Sequence, residues 1–107
     1  MRTKITCLHK SNRSLSWLYA EEIAVKREAA CSCGSLRAQC SGEPELVSLC
    51  HCVACQRRTG APFGIAAFFQ RKNVEIKGPY KDFERSSDSG CGLVFHFCAN
   101  CGSTLFW

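Results

Sequence analysis

Seven of the ten cysteines in this 107-residue sequence fall into three short groups, and thiols in such groups can bind a metal ion. Structural zinc sites are closed by four protein ligands in a tetrahedron, whereas a catalytic zinc keeps three and leaves one position for water or substrate. Seven thiols therefore predict one closed and one open site. The groups are Cys31 and Cys33, then Cys50, Cys52 and Cys55, then Cys98 and Cys101.

Spacing assigns the closed site to the first and last groups. In a strand, residues i and i+2 point to the same face, so Cys31 and Cys33 can offer both sulfurs to one ion. Cys98 and Cys101 form a C-x-x-C followed by Gly102, which is typical of a zinc knuckle because glycine lets the backbone turn around the metal. Zinc on these four cysteines would join the two ends of the domain and contribute about 10–16 kcal/mol of apparent binding energy to folding.

The remaining group, Cys50, Cys52 and Cys55, then forms the open site. Three thiolates on a divalent zinc leave a net charge of about −1, and such a soft, thiolate-rich ion accepts a further thiolate well. The same ion can lower the pKa of a bound water, so the ligand number leaves thiol chemistry and hydrolysis both open. Two other interpretations are two purely structural sites, with His51 or a spare cysteine completing the second, and a disulfide framework.

Side chains near the open group are candidates for binding a substrate. Arg57 and Arg58 could pair with a carboxylate through the planar guanidinium group, although arginines after a zinc knuckle are often solvated. Phe63 lies close enough in sequence to wall a pocket. Cys40 and Cys91 are interpreted as small buried side chains. The aromatic residues of the second half are most simply core: Phe63, Phe68, Phe69, Phe83, Phe95, Phe97 and Trp107.

Length, apolar runs and charge restrict the class of protein. A chain of 107 residues is one domain with a modest core. Because no secretory signal or membrane-spanning run of about 20 apolar residues is present, a reducing, cytoplasmic interior is expected, and no membrane partner. The net charge of +5 is spread unevenly: residues 1–30 hold six Lys and Arg against three Glu, and residues 31–107 hold eight against six acidic residues. Residues 31–107 are thus nearly balanced, so a nucleic-acid partner is disfavoured. The sequence does not indicate an oligomeric state.

Short apolar runs with period-two alternation, separated by Gly and Pro, predict a mainly β domain over residues 29–107. Residues 1–28 are Ser-rich and basic. They are predicted to be a leader that is disordered, irregular or short-helical, with a helix-permissive run over 15–27, or to follow a mis-assigned start; Cys7 has no predicted role. The final LFW lacks a terminating turn, which predicts a C-terminally incomplete domain. Strands are predicted at 35–40, 46–49, 63–70, 73–76, 80–86, 93–97 and 103–107.

Four motifs, in this order and spacing, resemble those of the glutathione-dependent formaldehyde-activating enzymes, also called the GFA or CENP-V-like family. They are CSCG, CHCVACQRRTGAPF, the SG turn at Ser89 and Gly90, and FCANCGSTLFW, and the resemblance covers residues 31–107. It implies an Mss4-like β-tent of short antiparallel strands stapled by zinc. It also implies a structural zinc on the four cysteines assigned above to the closed site and a second zinc on Cys50, Cys52 and Cys55.

The activity implied by the resemblance is condensation of formaldehyde with glutathione to S-(hydroxymethyl)glutathione, classed as a carbon–sulfur lyase by its reverse direction. In this hypothesis a small-molecule thiol binds the open zinc as thiolate, beside Cys50, Cys52 and Cys55, and attacks an aldehyde. The alternative is a non-catalytic, zinc-stabilised module that binds protein or nucleic acid. Two departures from the family pattern are the first 28 residues, which have no counterpart, and the early C-terminus.

Overall fold

The structure, a computed structural model, describes residues 2–5, 8–10 and 25–107. Most of the described residues lie in short strands. In chain order the elements are β1 (Arg2–Ile5), β2 (Leu8–Lys10), β3 (Lys26–Ala30), β4 (Arg37–Ser41), β5 (Leu46–Cys50), α1 (Val53–Thr59), β6 (Gly64–Gln70), a 3₁₀ turn (Arg71–Asn73), β7 (Val74–Lys77), β8 (Tyr80–Ser86), β9 (Gly92–Cys98) and β10 (Thr104–Phe106).

The strands form two antiparallel sheets. The larger sheet has the order β5-β6-β1-β10-β9-β8, and the smaller has the order β2-β3-β4-β7. Alternation along the strands decides which side chains are buried: β4 buries Ala38 and Cys40 and exposes Arg37 and Ser41. The mainly β, antiparallel architecture predicted from the sequence is confirmed.

The hydrophobic core lies between the two sheets, because one cluster of buried residues draws members from both. Ile5 and Phe69 come from the larger sheet, and Ala38 and Cys40 from the smaller. Phe69 and Ile5 are each 1% exposed. The prediction that Cys40 is a small buried side chain is confirmed, but the same prediction for Cys91 is wrong, since Cys91 is exposed in the turn between β8 and β9.

All seven predicted strands are present, with ends shifted by no more than a few residues. The helix α1 was not predicted, because its seven residues are too short to display a helical period. It ends at Gly60, which takes the left-handed conformation at φ 67° while its N–H bonds to the carbonyl of Gln56. In the described part of the chain, no helix is long and apolar enough to cross a membrane.

In its described residues, the N-terminal segment differs from the prediction of a leader. Residues 2–5 and 8–10 form strands rather than an irregular or helical leader, and β1 lies inside the larger sheet, between β6 and β10. The predicted boundary between residues 28 and 29 falls within β3. Most of the helix-permissive run, residues 15–24, lies outside the described residues, as does Cys7. The error arose because the Ser-rich, basic composition was averaged over 28 residues, which concealed the short alternation of β1.

The backbone at Gly78 approaches closely the backbone of the turn that follows β3. Gly78 has φ 107°, and a Cβ atom there would lie 2.0 Å from the carbonyl oxygen of Ser35. No side chain fits at that distance, so Gly78 allows the end of β7 to pack against residues 35 and 36.

We therefore expect Gly78→Ala to lower the free energy of unfolding by about 2–4 kcal/mol, through both the strained φ and the backbone overlap. Gly42→Ala is the matched control, because Gly42 has φ 81° and a Cβ atom there would meet no other atom within 4 Å. It should cost only about 1–2 kcal/mol. Denaturant unfolding of the two variants measures the difference, and equal losses would show that the close approach is unimportant.

Candidate metal centres

The first and last cysteine groups meet in space. Cys31 follows β3 of the smaller sheet and Cys98 ends β9 of the larger, while Cys33 and Cys101 lie in the adjoining turns. The four Sγ atoms lie within 4.8 Å of one another, with 3.5 Å between Cys31 and Cys33 and 3.7 Å between Cys33 and Cys98. A tetrahedral zinc with Zn–S of about 2.3 Å separates its sulfurs by about 3.8 Å, so these residues fit zinc.

Backbone N–H groups point at the sulfurs of this four-cysteine group. Leu36 N lies 3.2 Å from Cys31 Sγ, and Asn100 N lies 3.3 Å from Cys98 Sγ. Gly102, at φ 79°, donates its N–H to the Cys98 carbonyl at 2.9 Å, so the turn closes as the spacing predicted. Such donors stabilise thiolate, the form that binds a metal.

Hydroxyl groups near these thiols shift their pKa values. The hydroxyl of Ser35, 3.0 Å from Cys33 Sγ, is the main cause that lowers the pKa of Cys33 to about 5. The hydroxyl of Ser103 lowers the pKa of Cys101 to about 7, whereas burial raises that of Cys31. Hydrogen bonding stabilises the charged form and burial destabilises it, so the thiolate is favoured at Cys33 and Cys101, in the turns, and disfavoured at Cys31.

The third group surrounds the start of α1. Cys50 ends β5, Cys52 precedes the helix as its N-cap, and Cys55 lies in the first helical turn. Their sulfurs also lie within 4.8 Å of one another, and no fourth histidine, cysteine or carboxylate among the described residues joins them. The ring of His51 instead packs 5.7 Å from the ring of Phe63. These three cysteines therefore fit three of the four ligand positions of a tetrahedral metal ion and leave the fourth coordination position open.

The three thiols of this group are free, and the pKa values of Cys52 and Cys55 are shifted in opposite directions. The backbone N–H of Cys55, 3.4 Å from Cys52 Sγ, lowers the pKa of Cys52. Burial raises the pKa of Cys55 to about 11. The backbone N–H thus favours the thiolate of Cys52, whereas a metal ion bound here would have to displace the proton of Cys55, as zinc commonly does.

A cavity of about 340 Å³ opens beside the three-cysteine group. It lies over one face of the larger sheet, opposite the face that packs into the core. Each strand of the larger sheet contributes a lining residue except β10, which contributes through Trp107, the residue that follows it. The residues around it are Lys4, Ser48, Cys50, Cys52, Cys55, Arg58, Gly64, Ile65, Ala66, Phe68, Arg85, Ser87, Asp88, Ser89, Leu93, Phe95 and Trp107.

Of the two arginines predicted to bind substrate, only Arg58 lines the cavity. Arg58 follows Cys55 by three residues, so it shares the cavity face of α1, and its guanidinium lies 4.6 Å from the Trp107 ring. Arg57 is exposed and does not line the cavity. Gly64 makes room for this arrangement, because a Cβ at Gly64 would lie 2.7 Å from Arg58 Nη2.

The aromatic residues that line the cavity also differ from those predicted. Phe63 is 39% exposed and does not line the cavity, since it packs beside His51 instead. Phe68, Phe95 and Trp107, which were predicted to be core, line the cavity, and of these Phe95 is buried as predicted. The alternation of β6 from Gly64 onward carries the signal that was missed, because Gly64, Ala66 and Phe68 face the cavity together.

Two antiparallel sheets joined by a four-cysteine group, with a three-cysteine group beside a cavity, define a small β protein equipped for metal binding. The model of one family, glutathione-dependent formaldehyde-activating enzyme (GFA), matches residues 26–107. The chain belongs to this family, as its cysteine motifs predicted. A search of curated proteins found no match to it.

Proposed function

We propose that this protein is a zinc-dependent enzyme of the carbon–sulfur lyase type, which condenses a thiol such as glutathione with formaldehyde or a related small aldehyde. The observation that carries the proposal is the three-cysteine group, short of one ligand, beside a cavity with cationic side chains. The family match supports a thiol and an aldehyde as the substrates. The free thiols of both groups call for a reducing compartment such as the cytoplasm.

The reaction forms one carbon–sulfur bond. The thiol sulfur attacks the carbonyl carbon, the C=O π electrons move to oxygen, and the thiol proton ends on that oxygen, giving RS–CH₂OH. No oxidant or reductant is needed. Zinc held by Cys50, Cys52 and Cys55 would supply Lewis acidity that favours the thiolate of a bound thiol.

The protein's own residues position the thiol. Arg58 lies on the same helix face as Cys55, with its guanidinium against the rings of Trp107 and Phe95 at 4.6 and 5.8 Å. The rings fix the guanidinium without neutralising it, so it can bind a carboxylate of the thiol in a defined place. Holding a thiol beside the aldehyde makes their bimolecular reaction effectively unimolecular.

The experiment is a measurement of S-(hydroxymethyl)glutathione formation by NMR exchange, with zinc-loaded protein and with no protein. We expect faster exchange in proportion to the protein concentration, and loss of the acceleration when the metal is removed. A protein that binds two zinc ions and leaves the exchange rate unchanged would be a non-catalytic zinc-stabilised module instead.

A prediction follows from the contact between Gly64 and Arg58. Gly64→Ala should leave the fold intact, because the atom that must move is the far end of a flexible side chain. The displaced guanidinium should raise KM for glutathione about tenfold, the value of one hydrogen bond to a charged group.

Steady-state kinetics of Gly64→Ala, Arg58→Gln and the double variant test this prediction. Because both changes act on one guanidinium, the double variant should resemble Arg58→Gln rather than show the product of the two effects. Multiplicative effects would mean that Gly64 acts through something other than Arg58.

A further inference from the structure

Four charged side chains line the cavity: Lys4, Arg58, Arg85 and Asp88. In the described residues, the ion pairs within 4.0 Å all use other side chains. Three cations and one carboxylate therefore face the same space without a salt bridge among them. Charges left unpaired at the wall of a cavity are available to a charged ligand.

The cations alternate with aromatic rings. Lys4 Nζ lies 5.0 Å from the centroid of Phe68, and the Arg85 guanidinium lies 5.2 Å from that of Phe95. With the Arg58 guanidinium 4.6 Å from the Trp107 ring, the charged group of each cation lies over an aromatic ring. A ring restrains the cation and leaves its charge in place, so the positive groups are held ready for anions.

Lys4 reaches the cavity because of the position of β1 in the sheet. It lies opposite Phe68 of β6, and its backbone exchanges hydrogen bonds of 3.0 and 3.2 Å with Trp107. The family match begins at residue 26, so β1 lies outside it. Lys4 is therefore a cavity cation that lies outside the matched residues, whereas Arg58, Arg85 and Asp88 lie within them.

The fourth charge comes from the turn between β8 and β9. Asp88 lies between Ser87 and Ser89, and all three residues line the cavity. The turn is held by hydrogen bonds from Gly90 N to the Ser87 carbonyl and from Cys91 N to Ser87 Oγ. The carboxylate thus lies on the side of the cavity where β8, the strand that contains Arg85, ends at Ser86.

We propose that Lys4 is a specificity-determining residue: together with Arg58 and Arg85 it makes the cavity favour a thiol with two carboxylates and one ammonium group over a neutral thiol. Arg58, Lys4 and Arg85 bind the carboxylates, and Asp88 binds the ammonium group. Glutathione has this charge pattern, whereas 2-mercaptoethanol is a neutral thiol. The proposal rests on the proposed function only in placing the thiol sulfur at the three-cysteine group.

Calorimetric titration of the zinc-loaded full-length chain tests the proposal, with no aldehyde present. Lys4→Gln should raise the Kd for glutathione about tenfold and leave that for 2-mercaptoethanol within about twofold. Lys4→Arg should restore glutathione binding. Arg2→Gln is the matched control, because Arg2 lies on β1 but pairs with Glu45 at 2.7 Å and does not line the cavity; it should change neither Kd.

Asp88→Asn tests the role of the Asp88 carboxylate separately from that of the cations. It should weaken binding of glutathione but not of glutathione acetylated on its amino group. Equal effects of Lys4→Gln and Arg2→Gln, or equal weakening of both thiols by Lys4→Gln, would overturn the proposal. Binding that depends on Lys4 in a protein without condensation activity would refute the proposed function and leave this inference standing.

Discussion

Cys52→Ala should lower the rate of thiol–aldehyde condensation by at least about a hundredfold while the protein stays folded. Cys52 is one of only three sulfurs in its group, so its removal leaves too few ligands to hold a metal and, with it, the thiol substrate. The fold should survive because Cys52 lies before a short helix with no buried residue, outside the core between the sheets.

NMR exchange and metal analysis of the purified variant test this expectation. The variant should retain about one zinc ion per chain, the one bound by the four-cysteine group. Cys91→Ala is the matched control, since Cys91 is an exposed cysteine outside both groups, and it should keep two zinc ions and the full rate. A Cys52→Ala protein with unchanged rate would exclude the three-cysteine group from the chemistry.

Cys33→Ala should unfold the protein at room temperature. The four-cysteine group joins the end of β3 in one sheet to the end of β9 in the other, so a bound zinc ties the sheets together. Structural zinc contributes apparent binding energy of about 10–16 kcal/mol, comparable with the whole stability of a small domain, about 5–15 kcal/mol. Cys33 is exposed, so its replacement removes a ligand without leaving a cavity in the core.

Circular dichroism during denaturant unfolding provides the measurement. We expect no cooperative transition for Cys33→Ala, and the same loss when the parent protein is treated with a strong chelator. Cys52→Ala serves as the comparison, because it removes a cysteine from the other group and should keep its transition. A Cys33→Ala protein as stable as its parent would show that core packing alone maintains the fold.

The sequence was sufficient for the cysteine groups because ligand spacing is a local property. Two residues between Cys98 and Cys101 and a following glycine specify a turn that aims both sulfurs at one point. The strands from residue 35 onward were predictable for a similar reason, since alternation and Gly or Pro turns are visible within a few residues.

The cavity could not be predicted in this way, because it depends on which strands pair. Phe63 was chosen for its closeness in sequence to the cysteines, whereas the wall is formed by Phe95 and Trp107 from distant strands. Lys4 was missed because β1 gains its stability from pairing with β6 and β10, more than sixty residues away in the chain. Such long-range pairing leaves little trace in local composition.

The central claim is that one metal ion is held by four sulfurs of the protein and the other by three, with a position for the sulfur of a substrate. X-ray absorption at the zinc edge tests it directly on protein loaded with about two zinc ions per chain. The claim predicts a mean of about 3.5 sulfurs per zinc, rising to about 4 when glutathione is added. A mean of about 4 before the thiol is added, or a value that glutathione does not change, would contradict it.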